Sequence, residues 1–185
     1  VCDKGNVEIY IFITIFDKLF NKILILYLRG IYMKKNNGNI ISILLIAPYR
    51  CGSGGVHMKT HIGCIIYTLI LYSGSALLGK YIVLTGIAKY ISAITVWIFC
   101  MTMIKLYAPA DTENVPILRK KERKQKKMVS YIILTVEMIS AFFIGDTVIS
   151  GIIIFGDFIQ TLTITRFAFK ITDNKYGHEV YANNT

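Results

Sequence analysis

His57 and Cys64 stand seven residues apart in the stretch Gly54-Gly55-Val56-His57-Met58-Lys59-Thr60-His61-Ile62-Gly63-Cys64, at the mouth of a long apolar segment. If the stretch is helical, seven residues make about two turns and the two side chains share one face. His57 could then take the thiol proton directly. A neighbouring imidazolium, with Lys59 close by, would favour the thiolate, the nucleophilic form of cysteine. Two other readings stand beside this one. Cysteines in apolar segments often do nothing but pack. Alternatively, His61, four residues after His57 and three before Cys64, could join them as a third zinc ligand, with Cys51 as a fourth. Gly52, Ser53, Gly54 and Gly55 leave the position of Cys51 open.

The elements that must position these residues are set by composition. The chain has 185 residues, 54% of them hydrophobic and only 17% charged, with a mean hydropathy of +0.53. That is too apolar for an ordinary soluble domain and reads as an integral membrane protein. The net charge of +10 would suit nucleic acid. However, much of it sits in Arg119-Lys120-Lys121-Glu122-Arg123-Lys124-Gln125-Lys126-Lys127, between apolar runs. Such a block is a cytoplasmic anchor that touches anionic lipid heads, so nucleic acid is not expected. Cys2, Cys51, Cys64 and Cys100 show no regular spacing, which argues against a disulfide framework. No cleavable signal pattern opens the chain, and Val1 in place of methionine is what a fragment or an alternative start would give.

Residues 9–31 are apolar but interrupted by Asp17, Lys18, Asn21, Lys22 and Arg29, as in an amphipathic or interfacial helix, or a poor span with a polar stripe. The run from Ile40 to Ala47 ends at Pro48, too short to cross a bilayer, and reads as a re-entrant or half-length segment. Two spans follow, about 62–78 and 81–106, with a tight connection near Gly79 and Lys80. A second hairpin covers 128–144 and 147–169 and turns near Gly145 and Asp146. The expected fold is therefore all-α: a multi-pass transmembrane helical bundle with four spans plus one or two interfacial or partial N-terminal helices.

With the basic block in the cytoplasm, stepping back through two spans puts residues 50–63 on the same side, and stepping forward returns Lys170 and Lys175 there. Lys34 and Lys35 conflict with this if residues 9–31 span; an interfacial first helix removes the conflict. Lys89, Glu137, Asp157 and Arg166 are costly against lipid and should face the bundle interior or an interface, Arg166 by snorkelling. Glu137 and Asp157 could orient the histidine or pair with Lys89. His178, in a polar tail, reads as a solvated surface residue. The aromatic content, 12% of the chain, reads as interfacial belt and packing.

Arg50 through Cys64, with Gly54-Gly55-x-His57 and the cysteine seven residues on, resembles the active-site stretch of the accessory gene regulator B family, the AgrB-like membrane peptidases. The loop Tyr107-Ala108-Pro109-Ala110-Asp111-Thr112-Glu113-Asn114-Val115-Pro116-Ile117 is similar to that family's loop after its second span, and a lysine-rich stretch follows it in both. The resemblance covers about residues 48–169. It divides the chain into a divergent N-terminal amphipathic or partial membrane region (1–49), an AgrB-like core (50–169) and a polar cytoplasmic tail (170–185).

The resemblance implies a cysteine endopeptidase of the bacterial cell membrane, its site facing the cytoplasm. Such an enzyme cuts a small precursor peptide and promotes its maturation to a cyclic quorum-sensing signal. Carried over by position, Cys64 is the nucleophile and His57 the base. The acyl group can pass to a thiol or hydroxyl of the precursor, closing a thiolactone or lactone. No cofactor or metal is called for. The expected partners are the precursor peptide and membrane lipids, with room for a homo-oligomer. The rival reading is a non-enzymatic membrane metal-binding or transport protein using His57, His61 and Cys64.

Overall fold

The computed structural model describes residues 38–58, 60–113 and 116–182. Expectations for residues 9–31, for Lys34 and Lys35, and for Lys59 lie outside the described residues. Among the described residues the chain is all-helical, in the order α1 (Gly38–Ser53), α2 (His61–Tyr81), α3 (Gly86–Tyr107), α4 (Lys120–Phe143), α5 (Thr147–Leu162), α6 (Arg166–Ile171) and α7 (Gly177–Ala182).

Two of these helices are long and apolar enough to cross a membrane, α2 with 21 residues and α3 with 22. At 1.5 Å per residue each is about 31–33 Å long, close to the ~30 Å hydrocarbon thickness. Their outward faces are apolar and bare: Ile62, Ile66, Leu69, Ile70, Ile87, Ile91 and Ile98 are all exposed. α4 carries its basic block as its own first turns, and α5 has only 16 residues. For that reason α4 is too charged and α5 too short to be placed with them on length and composition.

α5 is the central helix. It packs against α1, α2, α3 and α4, and Ile152, Ile153 and Ile154 are buried in the same turn that buries Ser150 and Gly151. Asp146 starts the helix by accepting from the Val148 and Ile149 amides at 2.8 and 3.1 Å. These bonds satisfy two of the donors that a helix start leaves orphaned. The expected turn near Gly145 and Asp146 is thus present.

Three boundaries differ from the sequence reading, each for a local reason. α1 does not stop at Pro48 but runs through it to Ser53. A proline there lacks the N–H for one helical bond; contacts with α2, α4 and α5 hold the helix together across it. The turn between α2 and α3 is not at Gly79 and Lys80 but at residues 82–85. Gly79 is buried inside α2, where a Cβ would lie 2.6 Å from the Ile152 nitrogen, and Gly151 faces it from α5. It is a crossing point of two helices, the use that membrane bundles make of small residues. Finally, α5 ends at Leu162 rather than continuing toward 169, and a turn leads into the separate α6.

Lys89 faces the interior as expected but does not pair with the acidic residues. Its Nζ donates to the Ile144 carbonyl at 2.6 Å and the Phe142 carbonyl at 3.4 Å, capping the negative end of α4. Glu137 and Asp157 are both buried in the core, each with one carboxyl oxygen that has no hydrogen-bond partner, and the ring contact of His57 is with Cys64 and not with them. Arg166 pairs with Glu179 at 2.7 Å on the surface.

Candidate active site

Three chain segments meet at one end of the bundle: the loop after α1, the loop after α3, and the stretch after α5. Glycine makes the first of these possible. Gly54 and Gly55 have φ of +74° and +140°, values that side chains disfavour. At Gly54 a Cβ would also strike the Ala110 carbonyl. Both amides are used: Gly54 N–H donates to the Arg50 carbonyl and Gly55 N–H to the Ala110 carbonyl, each at 2.9 Å. The two glycines therefore make a turn and a close approach; their amides are not free to receive a substrate carbonyl.

The rest of the loop is pinned just as fully. Gln160 Nε2 donates to the Gly54 carbonyl at 2.8 Å, and the Val56 amide donates to the Thr163 carbonyl at 3.2 Å. Arg50 uses both arms of its fork, one to the Val56 carbonyl and one to Gln160 Oε1, each at 2.9 Å. Its guanidinium also lies 5.7 Å from the centre of the Tyr67 ring. Asn174 Nδ2 holds the His57 carbonyl at 2.8 Å. A main chain anchored at this density has little freedom to wander.

His57 is thereby delivered to the start of α2. Thr60 caps that helix, its side chain accepting from the Gly63 amide at 3.1 Å, and Cys64 follows in the first turn. Cys64 Sγ lies 3.7 Å from His57 Nδ1. The pair expected from the seven-residue spacing does come together, but not by the expected route. Residues 55–58 lie outside any helix and the helix begins at His61, so His57 reaches the thiol from a loop rather than from the same helical face. The positive end of the α2 dipole faces the sulfur, a favourable place for negative charge once the proton has left.

Partial burial, reinforced by the Arg50 charge, lowers the His57 pKa below its ordinary value. The imidazole is accordingly neutral near pH 7, in the form that accepts a proton. Of the two roles read from the sequence, proton acceptor and imidazolium neighbour, this direction favours the first. His61 is exposed on α2 and Cys51 is exposed at the end of α1. Among the described residues no three His, Cys, Asp or Glu side chains gather as a metal site would need, so the ligand set His57, His61, Cys64 and Cys51 is not assembled.

The loop after α3 ties the site to the C-terminal segment. Asp111 is buried at its centre, with its Oδ1 2.9 Å from Arg123 Nη1 and 2.6 Å from His178 Nδ1. Its Oδ2 accepts from the amides of Ile117 and His178 at 3.0 and 2.9 Å. Burial alone would raise the Asp111 pKa. These four donors outweigh it and hold the carboxyl below its ordinary range. His178 is thus a bound, partly buried partner and not the solvated tail residue expected, because the segment after α6 folds back onto this loop. Tyr176 stacks on Phe169 at 4.1 Å and donates to the Ile164 carbonyl at 2.8 Å.

A model of the family described as accessory gene regulator B matches residues 3–164. The chain belongs to the accessory gene regulator B family. The match begins well before Arg50, so it takes in the opening region that the sequence reading set apart as divergent. An AgrB-like protein of Clostridium acetobutylicum is 28% identical over 177 residues, covering 94% of this chain and 78% of that protein. No solved structure matches. Family membership and the two long apolar helices make this AgrB-family chain a membrane protein, with quorum sensing as the family's setting.

Arg50, Gln160, Asp111 and Asn174 are the site residues that sequence reasoning missed. Arg50 and Asp111 lay inside the two motifs but had no spacing signal of their own. Gln160 and Asn174 are more than a hundred residues from the loop they hold, a proximity that only the tertiary fold creates.

Proposed function

We propose that this protein is a membrane cysteine endopeptidase that cleaves a small precursor peptide and promotes closure of a cyclic quorum-sensing signal. Cys64 is the nucleophile and His57 the general base. The observation that carries the reading is the 3.7 Å approach of the His57 imidazole to the Cys64 thiol, from a loop held by hydrogen bonds to the Gly54, Val56 and His57 carbonyls.

With its proton on Nε2, His57 presents the Nδ1 lone pair to the thiol. Nδ1 takes the proton as the sulfur attacks the scissile carbonyl of the precursor. Collapse of the tetrahedral intermediate breaks the C–N bond, and the imidazolium returns the proton to the leaving amine. An acyl group remains on Cys64. A thiol or hydroxyl elsewhere in the precursor then attacks that thioester, His57 removes its proton, and the sulfur departs to be reprotonated. The product is a thiolactone or a lactone. A site with little free water would favour this over hydrolysis.

Four membrane spans follow from the same reading: α2, α3, the apolar part of α4 from Met128, and α5. The short α5 is screened by its neighbours, and the lysines before Met128 can snorkel to the interface. Charge supports the orientation. Arg50, Lys105, the 119–127 block, Arg166, Lys170 and Lys175 all belong to the end that carries the site, whereas Lys80 and Lys89 lie at the other. By the positive-inside rule the site end is cytoplasmic, where a newly made peptide would meet it.

The test is cleavage of the precursor by the full chain in membranes. Cys64→Ser and His57→Ala should each abolish it, whereas Cys100→Ser should leave it nearly intact, since Cys100 is buried against the Asp157 carbonyl. Cleavage surviving Cys64→Ser would sink the proposal.

A further inference from the structure

Beside the site, the same end of the bundle holds a cleft of about 340 Å³ between the end of α3, the first turns of α4 and the C-terminal segment. Its charged lining is Arg123, Lys124, Lys127 and Arg166 against Glu179, with His178 among them. Two of the cations are already matched, Arg123 by Asp111 and Arg166 by Glu179. Lys124 and Lys127 have no carboxylate partner among the described residues; Lys127 donates to the neutral Lys105 carbonyl at 2.5 Å. Partial burial, with Arg123 and Lys105 nearby, pulls the Lys127 pKa below its ordinary value. Positive charge is in excess here and an anion would relieve it.

The surroundings narrow the kind of anion. Leu106, at the rim, is 62% exposed. Along α4, Lys124, Met128 and Ile132 follow at steps of four, down one side of the helix. Met128 and Ile132 are 56% and 57% exposed. The charged cleft thus runs directly into bare apolar surface on α3 and α4. A water-soluble anion would gain nothing from that continuity, whereas an amphiphile would use both parts.

We propose that this cleft binds the phosphate of an anionic phospholipid headgroup, with Lys124 and Lys127 as its ligands and the acyl chains lying along α3 and α4. Such a site would register the peptidase end of the bundle at the membrane surface, yet it rests on charge and shape and not on the chemistry of Cys64.

Native mass spectrometry of the full chain in neutral detergent tests it, with phosphatidylglycerol and phosphatidylcholine of the same chain length. Phosphatidylglycerol should be retained as one adduct, at least tenfold more tightly than phosphatidylcholine. Lys124→Gln and Lys127→Gln should each weaken it about fivefold, the effect of one basic residue near an anionic surface. Glu179→Gln, which frees Arg166, should strengthen it by a similar factor, a gain that misfolding could not produce. Equal retention of both lipids, or retention unmoved by these changes, overturns the proposal. So does inorganic phosphate bound as tightly as the lipid, or an acidic peptide retained in the lipid's place.

Discussion

Arg50→Met separates the two things Arg50 does for the site. The arginine donates to the Val56 carbonyl and to Gln160, and its charge lowers the His57 pKa after burial has done so. Methionine keeps an apolar stem beside Tyr67 but removes the fork and the charge. Losing a charged hydrogen bond to a carbonyl that stays enclosed costs about 1.5–3 kcal/mol, which corresponds to roughly a 10- to 150-fold loss of reactivity if it falls on the working geometry. The His57 pKa should rise toward ~6.5, though not all the way, because burial still depresses it. The sign follows from the proton: a base with a raised pKa stays protonated to higher pH, so the acid limb of Cys64 reactivity moves up. The assay is the rate of iodoacetamide labelling at Cys64 from pH 5 to 8, read by mass spectrometry. Arg50→Lys supplies the control, since an ammonium restores charge without the fork. It should return the acid limb while leaving the rate low. A Met variant with the wild-type rate and the wild-type limb would refute the role assigned to Arg50.

Asn174→Ala removes the donor that holds the His57 carbonyl and should lower Cys64 labelling about tenfold with little change in melting temperature, a split that separates positioning from folding. Asp111→Asn breaks a buried ion pair and should destabilise the fold by about 3 kcal/mol in thermal melts at pH 7. Because the folded Asp111 pKa is depressed, its contribution is fully present above the ordinary carboxylate pKa of ~3.9 and is lost as pH falls through the lower folded value. The gap between wild type and variant should therefore be constant at neutral pH and close only in acid. Gly79→Leu forces a side chain into the Ile152 backbone and should cost at least about 1–3 kcal/mol or prevent assembly, whereas the same change at Gly74, which meets nothing within 4 Å, should be tolerated.

The seven-residue interval between His57 and Cys64 was legible, and so were two of the four expected spans, α2 and α3, because type and spacing are local properties. The reason offered for the interval was wrong in mechanism. Periodicity cannot reveal that Gly54 and Gly55 turn the chain into a loop, so that the histidine arrives from outside the helix. Gly79 shows the same limit in reverse: glycine punctuates turns and also permits helices to touch, and only the facing Gly151 decides between them. His178 was misjudged because a polar tail looks solvated until a buried carboxylate claims it. Lys89 was turned inward, but the pairing with Glu137 or Asp157 that the sequence left open is not made, since a helix end offers carbonyls that no sequence pattern advertises.

The central claim is that His57 activates Cys64, and the most direct test is the labelling rate of Cys64 near pH 7 in the wild type and in His57→Ala. Exposed Cys51 and buried Cys100 serve as references within the same chain. Cys64 should label faster than Cys51 and lose most of that advantage, on the order of a hundredfold for a lost general base, when His57 is removed. Equal labelling of Cys64 with and without His57, at the rate of an ordinary exposed thiol, would contradict the account.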